Sequence, residues 1–483
     1  MKQEIKYETI VGLEVHVQLS TKSKAYCSDA NKFGEPPNTC ISPISLGYPG
    51  TLPKINEEVI KSAIKLGVAL NCDITKYNLY ARKNYFYPDL PKGYQITQDK
   101  TPICTGGHVE IKDSKEGIKK IALTRIHMEE DAGKSIHDLD PFYSLVDFNR
   151  AGVPLLEIVS EPEIRSTQEA YNYLYEIRKL VRYLNISNGN MEEGSLRCDA
   201  NISVRPKGTQ ELRNRVEVKN INSLKNVMRA IELEVKRQIK CYENNEIVNQ
   251  ETRNYNASTN TTTILRTKED AHDYRYFPEP DIPPFVIKND FIETIKNDIP
   301  TLPKERYFKY TQLYHLSDYD AKLLTEEKDI SDLFDSIIEH TNHYKTVVNL
   351  IMGLIKSYSN ENSIAIKKIN LTPKHIAELA DMIYEKKVNL TIVAQKLFPA
   401  MINTLKSPRR IAKEKNWIQQ TNSKEIEQLI EQVIKKYPEK VLSYQNGNVN
   451  LIGLFMGEIM RESKGKFDPK KISEILKIKL MTQ

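Results

Sequence analysis

The stretch Val11-Gly12-Leu13-Glu14-Val15-His16-Val17-Gln18-Leu19 decides how the first half of the chain is built. Val11, Leu13, Val15, Val17 and Leu19 recur at every second position, the period of a β-strand resting one face on a core. Glu14, His16 and Gln18 then share the opposite face. The alternation returns from Arg197 to Val204, with Cys198, Ala200, Ile202 and Val204 inward and Arg197, Asp199, Asn201 and Ser203 outward. A short third strand, Val216-Glu217-Val218-Lys219, again sets a carboxylate and a cation two residues apart on one face. Alternation alone is equally the mark of an antiparallel sheet with one face in water. The residue types favour chemistry: Asp, Glu, Asn and His suit a hard cation, and Arg and Lys suit phosphate oxygens. Phosphoryl transfer needs that combination, because metal and positive charge stabilise its transition state.

Working outward, Arg125-Ile126-His127-Met128-Glu129-Glu130-Asp131-Ala132-Gly133-Lys134-Ser135 ends like a P-loop, but Met128 stands where that motif requires glycine, and His127 with Glu129 or Glu130 does not make HExxH. Both motifs are rejected, and the acidic triplet is open to reading as a plain turn. Arg82-Lys83-Asn84-Tyr85-Phe86-Tyr87-Pro88 interleaves cations with aromatics, a pattern that holds single-stranded RNA ends as well as one that edges a core strand. Ser166 with Glu169 forms a capping box ahead of Ala170, Tyr173, Leu174, Ile177, Leu180, Val181 and Leu184, a structural helix with Tyr173 in the core. The polar stretch from Asn256 to Thr263 reads as loop.

Pro278, Pro280, Pro283 and Pro284 close this region, since neither a helix nor a central strand absorbs such a run. Beyond it the pattern turns helical, with Thr372 as N-cap, Pro373 at the first helical position, and Ile376, Leu379 and Ile383 on one face. After a composition change near Phe398 to Arg410, Ile426, Leu429, Ile430 and Val433 mark a further amphipathic helix. The expected fold is α+β: an antiparallel-sheet domain over 1–292, an all-α domain over 293–405 and a small all-α tail over 406–483.

At 483 residues, two or three domains are expected. Apolar residues at 40% and charged residues at 28% exclude a disordered chain, and no apolar run approaches the roughly 20 residues of a membrane span. Met1 to Glu8 is charged and has no apolar h-region, so the default compartment is cytoplasmic. Six scattered cysteines without a CxxC pair fit reduced thiols. The net charge of +6 is concentrated from Lys406 to the C-terminus, where 16 Lys and Arg face 9 Asp and Glu. A solvated lysine-rich surface explains that surplus as well as nucleic-acid contact does; Lys435, Lys436, Lys464 and Lys466 are the candidates for a nucleic-acid backbone.

Taken together, the opening strand, Arg82 to Pro88, His127 to Ser135, Asp147-Phe148-Asn149-Arg150 running into Pro154 to Pro162, Met191 to Asn201, and Asp273 to Asp281 resemble the GatB family, the tRNA-handling component of the aspartyl/glutamyl-tRNA amidotransferase. The resemblance implies a cradle-shaped catalytic domain followed by the two helical domains. It implies that ATP with Mg2+ phosphorylates the side-chain carboxylate of Glu-tRNA(Gln) or Asp-tRNA(Asn), and that ammonia then displaces phosphate. Glutamine would supply the ammonia through an amidase subunit, with a third, small subunit to complete a heterotrimer. Carried over by motif, Glu14, His16, Glu130 and Glu217 form the metal cluster, with Asp199 a further candidate. Arg197, Lys219 and Asn201 hold phosphate or nucleotide, and Arg82, Lys83, Tyr85 and Tyr87 hold the tRNA acceptor end. Many family members carry a four-cysteine zinc site; here Cys27 and Cys40 match two positions, and Asp29 and Pro43 stand at the others, so no zinc is expected. Two rivals remain: a non-catalytic tRNA-binding scaffold, which needs cations but no carboxylate cluster, and a kinase or ligase acting on a free amino acid, which leaves the basic tail without a role.

Overall fold

The computed structural model describes residues 7–112, 117–137, 139–267, 274–418, 423–463, 467 and 469–482; Asp273, Lys464 and Lys466, named above, lie outside them. The chain forms two compact units, Met1–Leu302 and Pro303–Gln483.

The first unit is built on a ten-stranded sheet. Its strands relevant here are β1 (Tyr7–Gln18), β4 (Ile118–Glu130), β5 (Pro154–Ser160), β6 (Leu196–Pro206), β7 (Val216–Ile221), β8 (Glu251–Asn256) and β9 (Thr261–Thr267). The order across the sheet is β9-β8-β7-β6-β1-β5-β4, continued by the short strands Cys104–Thr105 and Asp73–Ile74. Among the seven labelled strands only β7 and β8 pair parallel. β2 (Ala81–Asn84), β3 (Tyr94–Thr97) and β10 (Arg275–Pro278) make a separate three-stranded sheet, tied to β4 where Gln95 Nε2 donates to the Glu130 carbonyl at 2.8 Å.

The alternation read in the sequence fixes which face is dry. Val11, Leu13, Val15 and Val17 of β1, Cys198, Ala200 and Ile202 of β6, and Val216 and Val218 of β7 are buried in one core, while Glu14, His16 and Gln18 stay half-exposed on the other face. Three helices cover the dry face: α1 (Glu57–Ala69), α2 (Thr167–Tyr183) and α3 (Leu224–Glu243). Each starts at a side-chain cap, Asn56, Ser166 or Ser223, which satisfies an orphan backbone N–H of the first turn. Tyr173, Leu174, Ile177 and Val181 of α2 are fully buried; truncating Leu174 to alanine would cost roughly 2–5 kcal/mol. α4 (Asn289–Asn297) packs on α1 through Ile295, so the first unit runs to Leu302, past the 292 expected.

One reading left open is decided and one expectation is corrected. The acidic triplet is no turn: β4 runs through Glu130, and Asp131 is buried. Nor is Asn256 to Thr263 a loop. Thr261, Thr262 and Thr263 belong to β9, as suits β-branched residues, and only 257–260 turn, held by Asn256 Oδ1 accepting from Ser258 and Thr259. Gly133-Lys134-Ser135 leads into the strand Lys134–Ile136 rather than a helix, in keeping with the rejected P-loop.

The second unit is helical and has two hydrophobic cores, one among Tyr310 to Ala412 and one among Ile426 to Leu480. The helix Pro373–Tyr384 begins at the Thr372 cap, and Ser423–Lys436 buries Ile426, Ile430 and Val433. The unit completes the α+β class. Among the described residues no helix is long and apolar enough to cross a membrane.

Candidate active site

Register turns separated stretches of sequence into rows on the wet face of the sheet. One row reads Asp199, Glu14 and Val159, from β6, β1 and β5; the next reads Arg197, His16, Glu157 and His127, from β6, β1, β5 and β4. Glu217 of β7 lies opposite Asn201 of β6. Two carboxylate-rich clusters result. In one, Glu14, Asp199 and Glu217 each offer an oxygen, and in the second His16 offers a ring nitrogen and Glu129 and Glu157 an oxygen each, the ligand atoms of each cluster lying within 4.8 Å of one another.

The clusters adjoin through β1. Asn201 Nδ2 donates to Glu14 Oε1 at 2.9 Å, and Lys219 Nζ lies 2.5 Å from Asp199 and 2.8 Å from Glu217. Burial raises the Glu14 carboxyl above its ordinary value, and the neighbouring charges of Glu157 and Glu217 push the same way. His16 Nε2 is 3.1 Å from Glu157 and 3.4 Å from Glu129. Burial works against the His16 imidazolium, but the Glu157 hydrogen bond and the charges of Glu157 and Glu129 win and push it up to about 9. His127 Nε2 sits 3.6 Å from Glu157, and its buried Nδ1 has no hydrogen-bond partner among the described residues.

These donors fit a hard divalent cation. Glu14, Asp199 and Glu217 supply only oxygen, the ligand type of magnesium, and the crowding that raises Glu14 is relieved by added positive charge. His16 with Glu129 and Glu157 adds a nitrogen, which manganese accepts directly and magnesium through water.

The structure brings Glu14, His16, Asp199, Glu217, Arg197, Lys219 and Asn201 onto this one face. It does not bring Glu130. Period two puts His127 and Glu129 on the site face and turns Glu130 away, where its Oε1 accepts from the Ile96 N–H at 2.9 Å and from Lys92 Nζ. There Glu130 lines a cavity of about 190 Å3 with Tyr26, Cys27, Lys92 and Gly152. Glu129 takes the place expected for it. Arg197 is also committed, its Nη2 lying 2.5 Å from buried Asp131, which further accepts from Gln18 at 2.8 Å.

The Arg82 to Tyr87 segment is corrected more deeply. Arg82 is held by buried Glu279 at 2.7 Å and by Asp281 at 2.9 Å, and its guanidinium lies 4.1 Å from the centre of the Tyr94 ring. Lys83 turns toward the site: burial works against its ammonium, and Glu129 and Glu157 favour it. Tyr85 packs edge-on against Tyr274 at 5.6 Å. Of the four expected acceptor-end residues only Tyr87 is exposed, beside Phe86. In the tail, Lys436 is paired with Glu462 at 3.0 Å. Lys24, among the residues around Cys27 and Cys40, donates to the Cys40 carbonyl at 2.7 Å, while Asp29 accepts from Ser45 at 2.6 Å.

Glu129, Glu157, His127 and Asp131 were not assigned from sequence. Glu157 had a signal, a lone carboxylate inside the apolar run Pro154-Leu155-Leu156-Glu157-Ile158-Val159, and Arg125, His127 and Glu129 alternate with buried Ile126 and Met128.

Residues 9–293 match the GatB/GatE catalytic domain and residues 332–480 the GatB domain. The chain is 46% identical over 473 residues to the GatB subunit of the aspartyl/glutamyl-tRNA(Asn/Gln) amidotransferase of Thermodesulfovibrio yellowstonii, covering 98% of this chain and 99% of that one. The chain belongs to this GatB family. The GatB subunit of Thermotoga maritima is 46% identical with 98% of each chain covered, and the second GatB subunit of Clostridium acetobutylicum is 45% identical with 97% and 98% covered. Family membership therefore extends over both compact units, and the paired clusters lie within the part matched by the catalytic domain.

Proposed function

We propose that the chain is the activating subunit of a glutamine-dependent aminoacyl-tRNA amidotransferase, a ligase forming a carbon–nitrogen bond. A carboxylate resists attack by ammonia until one oxygen becomes a good leaving group. Phosphorylation by ATP supplies that group: a side-chain oxygen of tRNA-linked glutamate or aspartate takes the γ-phosphoryl, and ADP leaves. Ammonia then adds at the acyl carbon, phosphate departs with the C–O bond electrons, a proton is lost, and Gln-tRNA(Gln) or Asn-tRNA(Asn) remains. An amidase subunit would release the ammonia from glutamine, a small third subunit would complete the heterotrimer, and the basic tail would meet tRNA.

The observation that carries this reading is the pair of adjoining metal-type clusters on one sheet face, bordered by a cavity of about 330 Å3 lined by Gly12, Glu14, Ser160, Asn201, Ser203 and Arg215. Mg2+ held by Glu14, Asp199 and Glu217, or by His16, Glu129 and Glu157, would neutralise phosphate charge there. Lys219 and Lys83 keep the carboxylates from repelling an anionic substrate.

The test is ADP release by the assembled enzyme with ATP and charged tRNA, comparing wild type with Glu157→Ala and Glu217→Ala. Turnover that depends on charged tRNA and falls at least 100-fold in both variants supports the reading. Full turnover in both variants leaves a tRNA-binding scaffold, and turnover on free glutamate without tRNA leaves a free-amino-acid kinase.

A further inference from the structure

Arg125 lies on β4 opposite Val159 of β5, and Val159 lies opposite Glu14 of β1, so Arg125 extends the row Asp199, Glu14, Val159. Ile126 and Met128 are buried beneath the strand, which places Arg125 on the wet face with His127 and Glu129. Two cations beside the clusters are already paired, Arg197 with Asp131 and Lys219 with Asp199 and Glu217, while Lys83 lies in the field of Glu129 and Glu157. Arg125 differs. It is half-buried, and among the described residues its guanidinium has no carboxylate partner and its buried Nε, like that of Arg197, has no hydrogen-bond acceptor. A partly desolvated guanidinium left unpaired is costly, and a chain retains one where a ligand supplies the anion. Val159 also lines the 330 Å3 cavity beside Glu14, so Arg125 stands one side chain beyond its wall.

We propose that Arg125 binds a phosphate group of a substrate, its planar fork donating to two phosphate oxygens. The assignment rests on the phosphoryl-transfer reading above and adds to it a half-buried cation not committed to a carboxylate, as Arg197 and Lys219 are. The phosphate belongs either to the nucleotide or to the terminal phosphodiester of tRNA.

The experiment measures tRNA-dependent ADP release by the assembled enzyme for wild type, Arg125→Ala and Arg125→Lys, with KM for ATP and for charged tRNA, and inhibition by uncharged tRNA. Loss of a charge-assisted contact should raise one KM roughly 10- to 100-fold in Arg125→Ala, with partial recovery in Arg125→Lys, which keeps the charge and loses the fork. A raised KM for ATP assigns the nucleotide. A raised KM for charged tRNA with equally weakened inhibition by uncharged tRNA assigns the phosphodiester. Weakened charged tRNA with unchanged uncharged tRNA points to the amino-acid carboxylate and overturns the proposal. So do unchanged KM values in a variant whose only defect is a lower melting temperature. An inactive wild type would instead sink the underlying phosphoryl-transfer reading.

Discussion

His16 and Glu157 lie 141 residues apart in sequence and meet at 3.1 Å, side by side on neighbouring antiparallel strands. The contact holds the imidazole protonated up to about pH 9, above its ordinary 6.5. Its contribution to stability is therefore complete below about 6.5 and is lost as pH rises through 9. Ligation of a metal by His16 requires the neutral ring, so divalent-ion affinity runs the other way. Between pH 7 and pH 9 the apparent affinity of the assembled enzyme for Mg2+ or Mn2+ should rise by up to about tenfold per pH unit, each binding event releasing a proton. Calorimetry in buffers of different ionisation enthalpy reads both quantities, and a flat affinity across this range would remove His16 from the ligand set.

Glu129 and Glu130 are neighbours with opposite duties. Glu129→Gln should lower tRNA-dependent ADP release at least 100-fold with little change in unfolding midpoint. Glu130→Ala strips the mostly covered Lys92 ammonium and the Ile96 N–H of their acceptor and should cost roughly 3–5 kcal/mol of stability. Denaturant unfolding and turnover measured on both variants decide it, and exchanged phenotypes would refute the assignment.

Arg82 is a fastening. Bound to Glu279 and Asp281, it joins β2 to the segment following β10. Arg82→Ala should destabilise the first unit while leaving the salt dependence of tRNA affinity unchanged. A phosphate contact would instead lower the slope of log K against log salt by about one.

The Cys27 thiol is pushed up to about 11, chiefly by burial. Little thiolate exists near neutrality, so alkylation by iodoacetamide at pH 8 should be roughly a hundredfold slower than for an unperturbed cysteine and should accelerate steadily to about pH 11. Labelling at the ordinary rate at pH 8 would contradict the burial seen here.

The strands carrying the site were legible where the alternation is clean. Val11 to Leu19, Arg197 to Val204 and Val216 to Lys219 each told their faces apart, so Glu14, His16, Asp199, Asn201, Glu217 and Lys219 could be named as neighbours in kind. Glu129 and Glu130 could not be separated in the same way: with Glu129, Glu130 and Asp131 open to reading as a turn, the strand had no visible end and the two carboxylates looked interchangeable. Arg82 misled for another reason. Cations among aromatics look alike whether they face RNA or close a buried ion pair, and Glu279 is too distant in sequence to announce itself.

What the amino-acid order settled alone is local: period-two faces, helix caps at Ser166 and Thr372, and the family motifs, all set by contacts within a few residues. Which carboxylates share a cluster, which cations are already paired, and that half-buried Arg125 has no carboxylate partner among the described residues depended on the register between strands far apart in sequence. Register is fixed by packing of the whole sheet on its helices, and no single strand contains it.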